Sequence, residues 1–77
     1  MNPLLAIDLC CGAGGWAFAA RGLPIRFLAV IDTAEDCRET WRINHAADHP
    51  DCTILDRDLA DPKGVADVLD TIRESFP

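Results

Sequence analysis

Two short and mainly apolar segments, Leu4–Leu9 and Ile25–Ile31, are each followed by a stretch with helical character. The second segment contains five consecutive apolar residues, from Phe27 to Ile31. Such a run is typical of a strand that is buried on both faces, as in a parallel sheet. Because parallel strands need a long crossover connection, usually a helix, this alternation predicts an α/β fold.

Helical and strand signals extend this order along the whole chain. Trp16–Arg21 is predicted to be the first helix, with Gly22 as its C-cap and Pro24 as its stop. Thr33 is predicted to be the N-cap of a second helix that ends near His45, with Asp36 completing a box-like start. The face of this helix expected to be buried comprises Ala34, Cys37, Trp41 and Asn44.

The last third of the chain adds one more strand and one more helix. Thr53–Leu55 is predicted to be a short third strand, and Asp61-Pro62 is a typical helix start. The apolar positions of the helix that follows recur at spacings of three and four: Val65, Val68, Leu69, Ile72 and Phe76. The predicted order is β-α-β-α-β-α, with a parallel sheet and right-handed crossovers.

The length of 77 residues is about half that of a typical domain. Three strands are fewer than the roughly five or six of an average sheet, and Ser75–Pro77 lies where a further strand is expected. We therefore expect residues 1–77 to form one incomplete domain, the N-terminal half of a Rossmann-like fold.

The charge, the hydrophobic pattern and the cysteines indicate which partners and which cellular location to expect. The net charge is −6 and the seven basic residues are scattered singly, so this chain alone is a poor nucleic-acid binder. Phe27–Ile31 is too short to span a bilayer, and the N-terminus lacks the features of a signal peptide. The expected location is therefore the cytoplasm, where the four cysteines would be reduced thiols.

A glycine-rich loop follows the first predicted strand and precedes the first predicted helix. Gly12-Ala13-Gly14-Gly15 would allow positive φ angles and the close approach of a ligand to the backbone. Asp32 ends the second strand 20 residues after Gly12, where an acidic side chain accepts hydrogen bonds from ribose hydroxyls. The alternatives are a plain tight turn for the glycines and a capping role for Asp32.

Two further residues bear on which ligand this would be. The loop also reads G-x-G-x-x-A up to Ala17, so a nicotinamide dinucleotide remains possible. Asp8 favours S-adenosylmethionine, because a carboxylate there would repel a pyrophosphate and attract an amino group. Trp16 could lie against a cationic sulfur or an adenine, or could instead be packed in the core.

These segments resemble the first three motifs of the DNA (cytosine-5) methyltransferases. Asp8-Leu-Cys-Cys-Gly-Ala-Gly-Gly-Trp resembles the first, commonly Asp-Leu-Phe-Cys/Ala-Gly-x-Gly-Gly. Ala29-Val-Ile-Asp32, followed by Cys37-Arg-Glu-Thr-Trp-Arg-Ile-Asn44-His45, is similar to the second. Asp58-Leu59 is similar to the third, usually Asp-Ile. The three motifs occur in the family's order and together cover nearly the whole chain.

The resemblance implies a role for each matching residue. Asp32 would hold the ribose hydroxyls of S-adenosylmethionine, and Asp58 would accept from the adenine amino group with Leu59 beside the ring. The glycine loop, residues 12–15, would cradle the methionine part. Cys10 stands where the family has a phenylalanine that contacts the cofactor, and Thr33 stands where an apolar residue often lies against the adenine. Both departures put cofactor affinity in question.

The resemblance also implies that the catalytic residues lie elsewhere. The family's nucleophile is a cysteine in a Pro-Cys dipeptide, and none of the four cysteines here follows a proline. We therefore expect no catalytic residue in this chain. The expected partner is a methyltransferase polypeptide that carries the Pro-Cys motif and the target-recognition domain, and DNA would be contacted only through that partner. Self-association through the open sheet edge is a further possibility.

Alternative functions remain at this point. One alternative is a noncatalytic regulatory or interaction module that keeps the half-Rossmann fold. Another is a fragment of an NAD-binding oxidoreductase, which Asp8 and Asp58 disfavour. The substrate of a methyltransferase of this type could be DNA or tRNA. A zinc site at His45, His49 and Cys52 is disfavoured because structural zinc usually has four ligands. The scattered aspartates after residue 47 lack the spacing of a calcium loop, so no metal site is expected.

Overall fold

In the computed structural model, which describes residues 3–75, three strands and three helices alternate along the chain. The strands are β1 (Leu4–Asp8), β2 (Ile25–Ile31) and β3 (Thr53–Leu55), and the helices are α1 (Gly15–Ala19), α2 (Glu35–His45) and α3 (Pro62–Ser75). A 3-10 turn, Ala46–Asp48, follows α2. The predicted element order is confirmed. Among these residues, no helix is both long and apolar enough to cross a membrane.

The sheet is parallel and open, with strand order β1-β2-β3. β1 pairs with β2 over its whole length, from Leu4 opposite Ile25 to Asp8 opposite Val30. The register shifts between Ala6 and Ile7, so that Leu28 is passed over as the extra residue of a bulge. β3 pairs only with the second half of β2. The chain is thus a small α/β protein compatible with a half-Rossmann arrangement.

β2 is the centre of the molecule because both of its faces are covered. On one face, Phe27 and Val30 pack with Trp41 of α2 and with Cys11 and Ala17 around the first loop and α1. On the other face, Ala29 and Ile31 pack against Val68 of α3. The burial on both faces that the apolar run predicts is confirmed.

The ends of α1 and α2 differ from the prediction. α1 begins at Gly15 and ends at Ala19, and Gly22 adopts a φ of +80° in the turn beyond it. Ala34, not Thr33, precedes α2, and the predicted Thr33 cap is wrong. The reason is that Asp32 already accepts from the Ala34 N–H at 2.9 Å, which leaves Thr33 exposed in the intervening turn.

The buried face of α2 is also different from the predicted one. Trp41 is fully buried as expected, but Asn44 is exposed and donates back to the Thr40 carbonyl. His45 takes the buried position at this end of the helix. The buried face of α2, which packs against the sheet and the first loop, therefore includes His45 instead of Asn44.

α3 begins as predicted. The Asp61 carboxylate accepts from the Lys63 N–H at 3.0 Å, and Pro62 is the first helical residue. Val68 is buried and Ile72 is half-buried, whereas Val65 and Leu69 are largely exposed. The predicted apolar position Phe76 lies outside the described residues.

Gly64 lets α3 lie directly on the loop that follows β3. A Cβ at this position would lie 2.3 Å from the backbone oxygen of Asp58. We expect Gly64→Ala to lower the free energy of unfolding by about 1–3 kcal/mol, the range for an overpacked contact, although alanine normally favours a helix. Urea denaturation measures this value.

Gly15→Ala is the matched control for Gly64→Ala, since Gly15 is also helical but its added Cβ would meet no atom within 4 Å. The control should be neutral or stabilising. Equal behaviour of the two variants would show that α3 does not press on the Asp58 backbone.

Candidate functional site

The candidate site lies at the carboxyl ends of β1 and β2, where ligands bind in open α/β sheets. The loop that leaves β1 crosses toward β2, because the Cys11 N–H donates to the Ile31 carbonyl at 2.9 Å. It then turns, with the Gly14 N–H donating to the Cys11 carbonyl, and enters α1. The predicted acids Asp8 and Asp32 therefore flank one loop.

The glycines of this loop are needed for different reasons. Gly12 and Gly14 adopt φ angles of +51° and +102°, a conformation that other residues rarely adopt. A Cβ on Gly12 or Gly15 would meet nothing within 4 Å, so the backbone there borders open space. A Cβ on Gly14 would meet His45. Ala13 between them is exposed.

Asp32 holds the loop with both carboxylate oxygens. Oδ2 accepts from the Gly12 N–H at 3.0 Å, and Oδ1 accepts from the Ala34 N–H at 2.9 Å. These two bonds, with the nearby Arg38 guanidinium, hold the pKa of Asp32 below its ordinary value of 3.8. Asp32 is half-buried, and a carboxylate has about four acceptor positions, so it retains capacity for hydroxyl donors.

Asp8 has one oxygen that is buried and unsatisfied. Its side chain is 6% exposed, and Oδ1 accepts from the Cys10 N–H at 3.2 Å. Oδ2 has no hydrogen-bond partner within residues 3–75. A buried carboxylate oxygen is costly unless it meets a donor or a cation. This atom therefore fits a ligand that brings a positive or N–H group to the end of β1.

An apolar groove of about 690 Å³ runs along β1 and α1 and reaches Asp8. Leu9, Cys10 and Trp16 of the predicted site region line it. Trp16 is 72% exposed, so the alternative in which it packs in the core is wrong. The groove combines an aromatic surface with a carboxylate, which suits an apolar ligand that carries positive charge.

Asp58 and Leu59 lie in the loop after β3. The Asp58 carboxylate accepts from the Ala60 N–H at 2.9 Å and is exposed. Leu59 is half-buried against the cluster of Ala29, Ile31 and Val68. These two residues stand beyond the end of β3 at the same edge of the sheet, next to the Asp32 strand end.

Arg38 is a site residue that the sequence analysis missed. Its guanidinium donates to the Asp32 carbonyl at 3.1 Å and to the Thr33 carbonyl at 2.9 Å, and it lies 3.4 Å from the Asp56 carboxylate. It thereby ties the end of β2 to the segment after β3. Its position one turn into α2, beside an acid-rich strand end, was the available signal.

The four cysteines are free thiols. Burial, and then the carboxylates of Asp32 and Asp8, raise the pKa of Cys11 to about 11. Burial also raises the pKa of Cys52 to about 12. Both thiols are neutral at pH 7, when a thiolate would be needed for attack. Cys10 is exposed at the groove.

The histidines that could suggest zinc are occupied in another way. His49 Nδ1 accepts from the Phe27 N–H at 3.1 Å, and His45 is buried beside Trp41. Across residues 3–75, no group of three or more His, Cys, Asp or Glu is arranged to hold a metal ion.

Comparisons of the chain with models of known families, with characterised proteins and with solved structures find no match.

Removal of the Asp32 carboxylate tests how the loop is held. We expect Asp32→Ala to lower the free energy of unfolding by about 1–3 kcal/mol near neutral pH, because hydrogen bonds to a charged acceptor are lost. Since the folded pKa is below the unfolded one, this contribution is present above about pH 4 and disappears as the pH falls through the folded pKa.

Urea denaturation near neutral pH and at about pH 3 measures the difference. Asp70→Ala is the control, because Asp70 is exposed and its ion pair with Arg73 lies on the outside of α3. An Asp32→Ala difference that is the same at both pH values would contradict the assignment.

Proposed function

We propose that this chain is the S-adenosylmethionine-binding part of a DNA (cytosine-5) methyltransferase and works with a separate catalytic and target-recognition portion. In this proposal the three-stranded sheet is the N-terminal half of a Rossmann-like methyltransferase domain. The motif resemblance in residues 8–16, 29–32, 37–45 and 58–59 supports it.

The single observation that carries the proposal is the pair of carboxylates around the glycine loop. Asp32 holds the loop and keeps acceptor capacity, and Asp8 presents a buried oxygen that has no partner in the part of the chain that the structure describes. A ligand with ribose hydroxyls and a positive amino group meets both requirements. A pyrophosphate would meet the negative charge of Asp8 instead, which disfavours NAD.

Each part of the cofactor would contact a different set of residues; the family resemblance implies these roles except that of Asp8, which follows from its charge. Asp32 would accept from the ribose hydroxyls, and Asp8 would face the amino group of the methionine part. The open backbone at Gly12 and Gly15 allows the close approach that this part needs. Asp58 and Leu59 would meet the adenine. When bound, S-adenosylmethionine supplies the methyl group that is transferred to cytosine.

The nucleophile and the grip on DNA must come from the partner portion. No cysteine in the sequence follows a proline, and the net charge of −6 opposes the binding of a polyanion. β1 is an edge strand with the exposed apolar side chains Leu4 and Leu5, and the groove beside it is lined by apolar residues. Such an edge recruits another strand, and we infer that the partner binds there.

A noncatalytic interaction module is the second candidate, and the same exposed β1 edge favours it. The two functions differ in whether the glycine loop binds a cofactor. Ligand binding therefore separates them directly.

The first functional prediction concerns ligand choice. We expect S-adenosylhomocysteine to bind more tightly than NAD, although weakly in the isolated chain, because the partner would complete the pocket. Asp8→Asn should weaken S-adenosylhomocysteine binding by about 1.5–3 kcal/mol, since the amide keeps the bond to the Cys10 N–H but loses the charge. Isothermal titration calorimetry measures both.

Asp8→Asn is preferred to a change at Asp32 because it leaves the loop attached to the sheet. Asp70→Ala, on the outer side of α3, should bind like the unchanged chain. Tighter binding of NAD would overturn the cofactor assignment, and binding of neither ligand would favour the interaction module.

The second functional prediction concerns complementation. Mixed with a polypeptide that carries the later methyltransferase motifs, the chain should restore cytosine methylation of DNA, and alone it should transfer no methyl group. Leu4→Lys should abolish complementation, because a charge on the β1 edge opposes strand addition. Transfer of tritiated methyl groups to DNA, with tRNA as the alternative substrate, measures the activity.

Ile43→Lys is the matched control, since Ile43 and Leu4 are both 69% exposed but Ile43 lies on α2. If both variants complement equally, the partner does not use the β1 edge. Methylation by the purified monomeric chain alone would refute the proposal that the catalytic residues lie in a separate partner.

A further inference from the structure

The glycine loop rests directly on the imidazole of His45. A Cβ on Gly14 would lie 2.5 Å from Nε2 and 2.6 Å from Cδ2 of His45, and 3.2 Å from Cδ1 of Trp41. Gly14 and His45 are both buried. No side chain fits between the loop and the ring.

His45 is itself held by a set of rings that begins at the sheet. His49 accepts from the Phe27 N–H of β2, and its ring centre lies 5.9 Å from that of Trp41. The Trp41 ring centre lies 5.5 Å from that of His45, and Trp41 is fully buried. A continuous series of packed rings therefore connects the central strand to the underside of the loop.

We propose that His45 is a positioning residue that supports the glycine loop from below, and that it does so only while its imidazole is neutral. The consequence for cofactor binding rests on the proposed function, whereas the support of the loop does not. The series Phe27–His49–Trp41–His45–Gly14 is the physical connection.

Protonation of His45 leaves at least one ring N–H, that of Nδ1, without an acceptor among the described residues. The protonated ring donates from both nitrogens, and Nδ1 is buried without a hydrogen-bond partner in the described part of the chain. His45 is 3% exposed, so a positive charge there would be desolvated. The protonated ring must shift toward water or toward an acceptor, and the loop lies against its edge.

The charged groups around His45 strengthen this preference. Arg21, beyond the end of α1, and His49 disfavour protonation, and Asp48 of the 3-10 turn favours it. Burial is the largest cause, and together these effects lower the pKa of His45 below its usual 6.5. Cys11 and Cys52 pack in the cluster around the neighbouring Trp41, and both thiols are neutral at pH 7 because burial raises the pKa of each.

A double-mutant cycle between Gly14 and His45 tests the contact. Gly14→Ala combines left-handed strain with the clash against the ring, and His45→Ala removes the clash while the strain remains. The loss in the unfolding equilibrium constant caused by Gly14→Ala should therefore be smaller by roughly fivefold or more in the His45→Ala background, within the range for residues in contact.

Gly12→Ala is the matched control for this cycle. Gly12 also has a positive φ, but its added Cβ meets no atom within 4 Å. Its effect should be the same with or without His45. Equal coupling of both glycines to His45, or no coupling of Gly14, would overturn the proposal.

The requirement for a neutral ring is tested by NMR on the ligand-free full chain. The Gly14 amide resonance should move as the pH falls below about 6.5, because the pKa of His45 is held below that ordinary value and the ring gains its proton there. His45→Phe keeps a ring at this position but cannot titrate, so it should abolish the movement. This variant also tests the proposal if His45→Ala does not fold. A Gly14 resonance with the same pH dependence in His45→Phe would contradict the proposal.

The pH dependence of ligand binding then separates this inference from the proposed function. S-adenosylhomocysteine affinity should fall in the unchanged chain as the pH drops below about 6.5 and stay level in His45→Phe. A Gly14 resonance that titrates in a chain that binds no S-adenosylhomocysteine would refute the cofactor assignment and leave the positioning role intact. Affinity that falls equally in both chains would overturn the pH dependence assigned to His45.

Discussion

The two hydrogen bonds of Asp32 fix the end of β2 to the start of the glycine loop and to the start of α2. They act at the point where the chain leaves the central strand, so the loop and the second helix share one anchor. Arg38 reinforces this anchor by donating to the Asp32 carbonyl and pairing with Asp56 after β3. The same carboxylate that would meet a ribose is therefore also a structural acceptor. A loss of affinity on changing Asp32 combines the two roles, and this is why Asp8 is the cleaner position for a binding experiment.

The elements were predictable because their signals are local. Adjacent residues alone are enough to predict the apolar strand β2, the short strand β3 and the start of α3 at Asp61-Pro62. The first helix and the second helix start were less predictable, because Asp32 competes with Thr33 for the free N–H groups and the turn at Gly22 lies beyond the end of α1. In these cases a contact between neighbouring elements overrides the local preference.

The site was predictable in part for the same reason. Asp8, Asp32 and the glycines lie at strand ends, and parallel pairing brings strand ends together. The role of the two histidines was not predictable, since the bond from Phe27 to His49 joins residues 22 positions apart. The contact of His45 with Gly14 likewise depends on the angle at which α2 crosses the sheet. In the sequence, this contact is visible only as a glycine at position 14 and a histidine at position 45, and nothing in the pattern links the two.

The bond between Phe27 and His49 also decides how the sheet is exposed. β3 is three residues long and pairs only with the second half of β2, so the first half of β2 has no strand beside it on that side. The imidazole of His49 takes the place of a neighbouring strand at the Phe27 N–H. A side chain that occupies a backbone donor in this way blocks the addition of a foreign strand. The first half of β2 is thus covered by a ring on the β3 side, whereas β1 on the other side has no further strand beside it within the described residues.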